Sequence, residues 1–460
     1  MKVRKFTLFL FTAFFVLLVA VCSHRINAQT STSQTGKIYY VSPSGNDTNT
    51  GTSKLSAFAT IQKAASVTNP GDTVLVMNGT YTNVHSGWAV NITRSGKPNA
   101  WITYKAYPGH TPKIKHNAWH GILIDHGASY IRVSGFEIEG NSKNITLEYA
   151  QSQQSNPLNP LSNGNCLSID GRQYGRSHHI NISRNKIHDC AGAGISVIQA
   201  DYVTVDRNEV FNNAWYSVYA NSGISLYQNW SSDNNTNYKM FVTNNLVYNN
   251  RQYIPWIATG TITDGNGIII DDSRNTQNNS TLGVYTGRTL VVNNVTFGNG
   301  GSGIHAFLSD HVDIINNTAY LNNQSPEITG GQIFANTASD VRIVNNILYA
   351  YPNKKVNSNW DNSNVIYENN LYFNSPYITV MGSNAVVADP KFVNPSLDPK
   401  LADFRLQSTS PAIDAGVSFN SGTKFTKIDY LGNVRPRGLA YDIGAYERVL
   451  ATMRCKQAIC

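Results

Sequence analysis

Side chains able to move protons gather at one place in this chain. Asp264-Gly265-Asn266 leads into Gly267-Ile268-Ile269-Ile270, which ends in Asp271-Asp272 and is followed by Arg274. Related glycine-led segments bring Tyr227 to one side and His305 to the other. Three chemistries suit such a set. Elimination beside a carboxylate needs a cation to neutralise it, a base for the adjacent proton and an acid for the leaving oxygen. Arg274 or Lys239 could do the first, His305 the second and Tyr227 the third. Hydrolysis needs one protonated and one ionised carboxyl, and Asp271 with Asp264 or Asp272 could supply them. Asp264, Asp271 and Asp272 could instead hold a metal ion such as calcium, which takes oxygen ligands. Adjacent strand residues point to opposite sides, however, unless a turn begins between them. Tyr219, Trp230 and Trp256 offer faces for stacking on sugar rings, with Lys239 as a polar contact.

Insertions surround this cluster. Residues 229–238, 251–263 and 273–287 lengthen the coils around Tyr227 and Asp271, and Trp215, Tyr216, Tyr219, Trp230, Tyr253, Trp256 and Tyr285 lie on or near them. Long loops on a rigid scaffold are where sites are built.

The scaffold is written as a repeat. Segments such as DYVTVDRNEVFNN (201–213), KMFVTNNLVYNN (239–250), RTLVVNNVTFGN (288–299) and HVDIINNTAYLNN (311–323) share one pattern of two short strands and an Asn-rich turn. Asn185, Asn208, Asn245, Asn294, Asn317, Asn346 and Asn370 recur in one slot at roughly 23 to 50 residues, a period that means a solenoid. Such strands cannot bury a face alone, so the coils must stack, about 4.8 Å apart. An asparagine in every coil can bond the turn backbone and the asparagines above and below. In the glycine-led strands, alternation turns Ile195/Val197, Ile224/Leu226, Ile268/Ile270 and Ile304/Ala306 inward. The outward columns are then Ser196, Ser225, Ile269, His305 and Ile198, Tyr227, Asp271, Phe307. The fold class is all-β, a right-handed parallel β-helix, and Thr60-Ile-Gln-Lys-Ala-Ala-Ser suits a short helix capping its N-terminal end.

The ends carry other signals. Lys2, Arg4 and Lys5 precede an apolar run from Phe6 to Val21, and Ile26-Asn27-Ala28 reads as a cleavage site, so residues 1–28 read as a secretory signal. Residues 29–36 form a linker, 37–450 the β-helix with its cap and closing segment, and 451–460 a tail. Cleavage removes Lys2, Arg4, Lys5 and Arg25 with no acid, so the formal charge falls from +8 to 8 − 4 = +4. No Lys/Arg block marks a nucleic-acid binder, and no later segment is long enough to span a membrane. A secreted or periplasmic monomer is expected. Cys166 with Cys190 and Cys455 with Cys460 are plausible disulfides, and two buried thiols are the alternative for the first pair.

Residues 38–82, IYYVSPSGNDTNTGTSKLSAFATIQKAASVTNPGDTVLVMNGTYT, resemble the N-terminal cap of secreted β-helix proteins of the pectate-lyase-like superfamily. Ala388-Asp389-Pro390-Lys391-Phe392, Ser410-Pro411-Ala412-Ile413-Asp414-Ala415-Gly416 and Asp442-Ile443-Gly444-Ala445-Tyr446-Glu447 resemble their C-terminal part. The central coils are most similar to the calcium-dependent, long-helix bacterial pectate lyases. Those proteins' calcium aspartates and lysine base do not transfer: the matching strand reads Asn221-Ser222-Gly223-Ile224-Ser225-Leu226-Tyr227, and Ile269 stands in the lysine slot. Asp271-Asp272 is also similar to the paired aspartates of polygalacturonases, but no Gly-His-Gly or Arg-Ile-Lys follows. The resemblance implies a carbohydrate-active protein on an acidic, uronate-containing polysaccharide. A lyase is the leading expectation, with a glycoside hydrolase and a non-catalytic glycan-binding β-helix as alternatives. Should the cluster not be the site, the earlier coils near Asp125, His126 and Asp170 are the next place to look.

Overall fold

Each coil contributes one short strand to each of three parallel sheets, of 11, 8 and 11 strands, in a computed structural model that describes residues 36–448. The expected signal, nearly all of the linker, the tail and the Cys455–Cys460 pair lie outside the described residues. Near the C-terminal end a two-stranded antiparallel sheet, Phe392–Asn394 with Asp403–Leu406, joins the closing segment. Among the described residues no helix is long and apolar enough to cross a membrane.

The 8-stranded sheet carries the glycine-led strands in the predicted register. Ile195 lies beside Ile224, Ile268 and Ile304 in successive coils, and Val197 beside Leu226, Ile270 and Ala306. All eight side chains are fully buried. A side-chain period of two in every coil therefore fills the solenoid with stacked aliphatics, and alternate residues are left to face outward.

The asparagine slot is a continuous hydrogen-bonded ladder. Asn294 shows the unit: its Nδ2 donates to the Val242 carbonyl at 2.8 Å and to Asn317 Oδ1 at 3.0 Å. Its own Oδ1 accepts from the backbone N and the Nδ2 of Asn245. The same pattern links Asn185, Asn208, Asn245, Asn294, Asn317, Asn346 and Asn370. A second ladder, absent from the sequence reading, runs through Asn213, Asn250, Asn299 and Asn322 and ends on Gln332.

The residue before each of the last four ladder asparagines has another task. Asn293, Asn316, Asn345 and Asn369 adopt left-handed φ values of 57°, 51°, 58° and 48°, a conformation asparagine tolerates better than most side chains. Their amides donate outward to carbonyls of the closing segment: Phe425 and Ile428, Asp442 and Gly444, Val417, and Ala415. An Asn-Asn pair thus fastens one coil to the next with its second member and the C-terminal segment to the coil with its first.

At the other end the predicted helix forms over Ile61–Val67, capped by the Thr60 side chain accepting from the Lys63 N–H. Gln62 pairs with the edge strand Trp88–Ile92, donating to the Asn91 carbonyl at 3.2 Å and accepting from the Asn91 N–H at 2.6 Å. A side-chain amide thereby closes part of an edge that would otherwise recruit another chain. Cys166 and Cys190 form a disulfide inside the solenoid, beside the buried His116. Burial holds that imidazole down, to about 4, so it stays neutral at ordinary pH.

Lys239 does not face a ligand. It lies on Tyr238–Thr243 in one of the 11-stranded sheets, fully buried, 2.7 Å from Asp201 and 2.9 Å from Asp233. Tyr285, on one of the insertions, is buried too and donates its hydroxyl to Asp201 at 2.7 Å.

Two expected outcomes test this scaffold. Asn294→Leu leaves the amides and carbonyl it serves unpaired, at about 1 to 3 kcal/mol each, and should lower the thermal midpoint or abolish soluble expression. Lys239→Met strips Asp201 of its cation, and loss of one partner of a buried pair costs about 3 to 5 kcal/mol. Denaturant titration should show that loss, and an unchanged midpoint would mean the ion pair is not buried.

Candidate active site

The outward columns of the 8-stranded sheet form the floor of a groove of about 870 Å³. One column runs Leu123, Ser168, Ser196, Ser225, Ile269, His305, Phe334. The other runs Asp170, Ile198, Tyr227, Asp271, Phe307, with Asp125 continuing it one residue past Ile124. Small serines at the middle of the first column leave depth between the larger groups of the second. The walls come from loops: Trp88 and Trp119 at one end, Tyr174, Tyr219 and Asn221 along the middle, and Trp256, Asp264, Gln277 and Asn278 at the other.

Of the predicted residues, Asp271, Tyr227, His305, Asp264, Tyr219 and Trp256 all line this groove. Tyr227 and Asp271 are direct neighbours in adjacent coils, and His305 lies beside Ile269, diagonal to Asp271. Gln277 Nε2 donates to Asp271 Oδ1 at 2.9 Å. Burial pushes the Asp271 carboxyl well above the usual carboxylate range, and the nearby charges of Asp264 and Asp272 push it further. Asp264 is raised to about 6, by burial, against the hydrogen bonds it accepts from Ser222 at 3.4 Å and Asn266 at 3.1 Å. Asn278 donates to the Tyr227 hydroxyl at 2.7 Å, and burial, then Asp271 and Asp272, raise that hydroxyl to about 12. His305 is packed against Phe334, with ring centres 4.4 Å apart, and its Nε2 is buried without a hydrogen-bond partner. Burial lowers it to about 3, so the imidazole is neutral and a poor proton acceptor.

Asp272, Arg274, Trp230 and Lys239 are not brought to the groove. Asp272 opens a turn with φ 49° and points away from Asp271, fully buried. Its carboxylate accepts from the backbone N–H of Thr276 and of Gln277 and from Gln228 Nε2. A carboxylate pinned to a turn in this way is structural, though it sets Gln277 against Asp271. Arg274 is engaged with Asp310, its Nε 3.0 Å and Nη2 2.9 Å from carboxylate oxygens. Trp230 packs beside Arg176, 5.8 Å from the guanidinium. Asp264, Asp271 and Asp272 therefore do not gather as a three-aspartate calcium site. With the Asp272 carboxylate held in its turn, two aspartates are left, each with Oδ1 already accepting a hydrogen bond from Ser222 and Asn266 or from Gln277, where calcium takes six or more oxygens.

The sequence reading missed Arg172. It follows the strand Asn165–Asp170 and is held by Asp170, with Nε 3.0 Å and Nη2 2.6 Å from carboxylate oxygens. The Asp170 hydrogen bonds raise the Arg172 guanidinium, while burial pushes the Asp170 carboxyl up but is outweighed by Arg172, leaving it below its usual range. His120 lies near both, its Nδ1 2.8 Å from Ser168 Oγ, and burial lowers it to about 4. The signal for Arg172 was an Asp-x-Arg at a strand end one column-mate from Asp125. The helical insertion was missed as well: helices Leu147–Ser152 and Pro160–Asn163 form there, Pro157 accepts from the Tyr219 hydroxyl, and Asn163 accepts from the Val218 N–H. The length of the chain between Glu139 and Asn165 marked it.

Comparison with known proteins agrees with this architecture. Residues 39–337 match the family model described as Pel9A-like, right handed beta helix region. A segment of 89 residues is 36% identical to pectate lyase L of Dickeya dadantii (strain 3937), covering 19% of this chain and 20% of that protein. The chain thus matches about a fifth of the length of that curated relative. The crystal structure of pectate lyase Pel9A superposes with a TM-score of 0.51 at 18% identity, over 91% of this chain and 98% of that one. A rhamnogalacturonan lyase aligns at 14% identity and a TM-score of 0.40, over 81% and 97% of the two chains. With the repeat, the three parallel sheets and the family model in agreement over most of its length, the chain belongs to the Pel9A-like right-handed β-helix family.

Proposed function

We propose that this protein is a secreted polysaccharide lyase that cleaves a uronate-containing glycan by β-elimination in the groove. The observation that carries the reading is one column holding Asp170 with its partner Arg172, then Tyr227, then Asp271. Those are a cation, a protonated hydroxyl and an unpaired carboxyl along one track. A uronate lying over Tyr227 presents its carboxylate to Arg172. Asp271 takes the proton from the carbon beside that carboxylate, the electron pair left behind forms the double bond, and the glycosidic C–O bond breaks. The Tyr227 hydroxyl, still protonated below about pH 12, gives its proton to the leaving oxygen. A carboxyl raised toward the working pH is a better base than an ordinary aspartate. Arg172 takes the neutralising role expected of Arg274 or Lys239, and Asp271 the basic role expected of His305, which remains a neutral group on the groove floor. Trp88, Trp119, Tyr219 and Trp256 provide stacking faces for the chain on either side.

Hydrolysis is the second reading, favoured by the two raised carboxyls Asp264 and Asp271. The two readings differ in sign with pH. A base must be ionised, so elimination should rise with pH through the raised Asp271 pKa and hold until Tyr227 deprotonates. An acid must be protonated, so hydrolysis should fall over the same range. The assay is ultraviolet absorbance of unsaturated chain ends against pH. Asp271→Asn and Tyr227→Phe should each reduce turnover by about a hundredfold or more with thermal midpoints near that of the parent. Parent-like turnover in both variants would remove them from the mechanism.

A further inference from the structure

The charge along the groove is uneven in a way that bears on which glycan fits. Among the described residues, Arg172 is the only lysine or arginine lining it. Its side chain is 54% exposed, and Asp170 engages Nε and Nη2, leaving Nη1 outside that fork. Acids stand on both sides. Asp125, engaged by His126 Nδ1 at 2.7 Å, is one coil before Asp170 in the same column, and Asp271 is three coils after Asp170, with the Arg172 guanidinium lying between them within electrostatic reach of Tyr227. Asp264 stands on the wall at that same end. The rest of the lining is aromatic, aliphatic or uncharged. One carboxylate can therefore be matched, and its neighbours along a chain would meet like charge or apolar surface.

We infer that the groove selects a heteroglycan in which an acidic unit is flanked by uncharged ones, with Arg172 taking the single carboxylate and Asp125 and Asp264 rejecting a second. A polymer with a carboxylate on every unit is disfavoured, because like charges brought together in a partly dry groove weaken binding steeply. The inference rests on the elimination reading for the position of the acidic unit, but the selection itself is a matter of binding.

The test compares polygalacturonate, with a carboxylate on every unit, and a rhamnogalacturonan backbone, with one on alternate units. The parent protein should form unsaturated ends from the alternating polymer with kcat/KM at least about tenfold higher. Asp264→Asn should narrow that ratio about tenfold, and added salt should narrow it also. Should Asp264→Asn fold poorly, Asp125→Asn makes the same prediction from the other side. Binding of both polymers to Asp271→Asn protein is measured in parallel by calorimetry. If neither polymer yields unsaturated ends but the alternating one binds tighter, the elimination reading falls and the selection stands. Equal or better cleavage of polygalacturonate, or equal or tighter binding of it, overturns the inference.

Discussion

From Asn185 to Asn370 each coil buries a turn whose backbone groups have lost water, and the asparagine ladder is what pairs them. A donor or acceptor left unmet there costs about 1 to 3 kcal/mol, so the same amide in each coil sets a vertical register that no coil can leave alone. Asn245 binds Asn294, Asn294 binds Asn317, and Asn317 binds Asn346. Once this spine fixes where each coil turns, the glycine-led strands fall into step on the next sheet. Tyr227 then comes beside Asp271 as a consequence of asparagines some 20 residues away in the chain. Loops of very different length interrupt this without disturbing it, because they leave and rejoin the coil between fixed turns.

The chemistry proposed for the groove depends on the opposite condition, carboxyls that have not been matched. Asp170, Asp201, Asp310 and Asp313 each meet a lysine or arginine. Asp264 and Asp271 meet only hydrogen-bond donors and each other, so their charged forms are penalised. Retaining two such groups side by side works against stability, and strained electrostatics of this kind cluster at functional sites. Asp272 shows the contrast at a distance of one residue. Its turn supplies two backbone N–H groups and the neighbouring coil supplies the Gln228 amide, and it serves the scaffold.

Sequence periodicity was enough for the solenoid, its inward columns, the first ladder and the pairing of Tyr227 with Asp271, because each follows from a side-chain period of two and a recurring Asn. It was not enough for the direction of side chains at turns. Asp272, Arg274 and Lys239 looked available, and all three are committed to partners distant in sequence, namely Gln228, Asp310 and Asp201. Arg172 went unread for the complementary reason: its value lies in being, among the described residues, the one lysine or arginine lining the groove, a property that only the folded arrangement of the other residues defines. The second ladder was hidden because Asn213, Asn250 and Asn299 close segments whose ends look like ordinary Asn-rich turns.

The Asn-Asn pairs bring these strands together. In the four pairs from Asn293-Asn294 onward, the first asparagine takes a left-handed conformation and holds the closing segment, and the second points inward to the ladder. Arg435, buried against Glu447, also reaches Asn293, so the closing segment is tied to the coils by charge as well as by amides. That segment lies along the C-terminal coils and away from the groove lining, while the N-terminal helix meets the groove sheet through Gln62 and Asn91. The N-terminal helix and the C-terminal segment thus pack on the coils through contacts that leave the outward columns of the 8-stranded sheet free. The elimination proposed for an extended polymer requires that: a track open along its length, on a backbone stiff enough that Arg172 and Asp271 keep their places along the column.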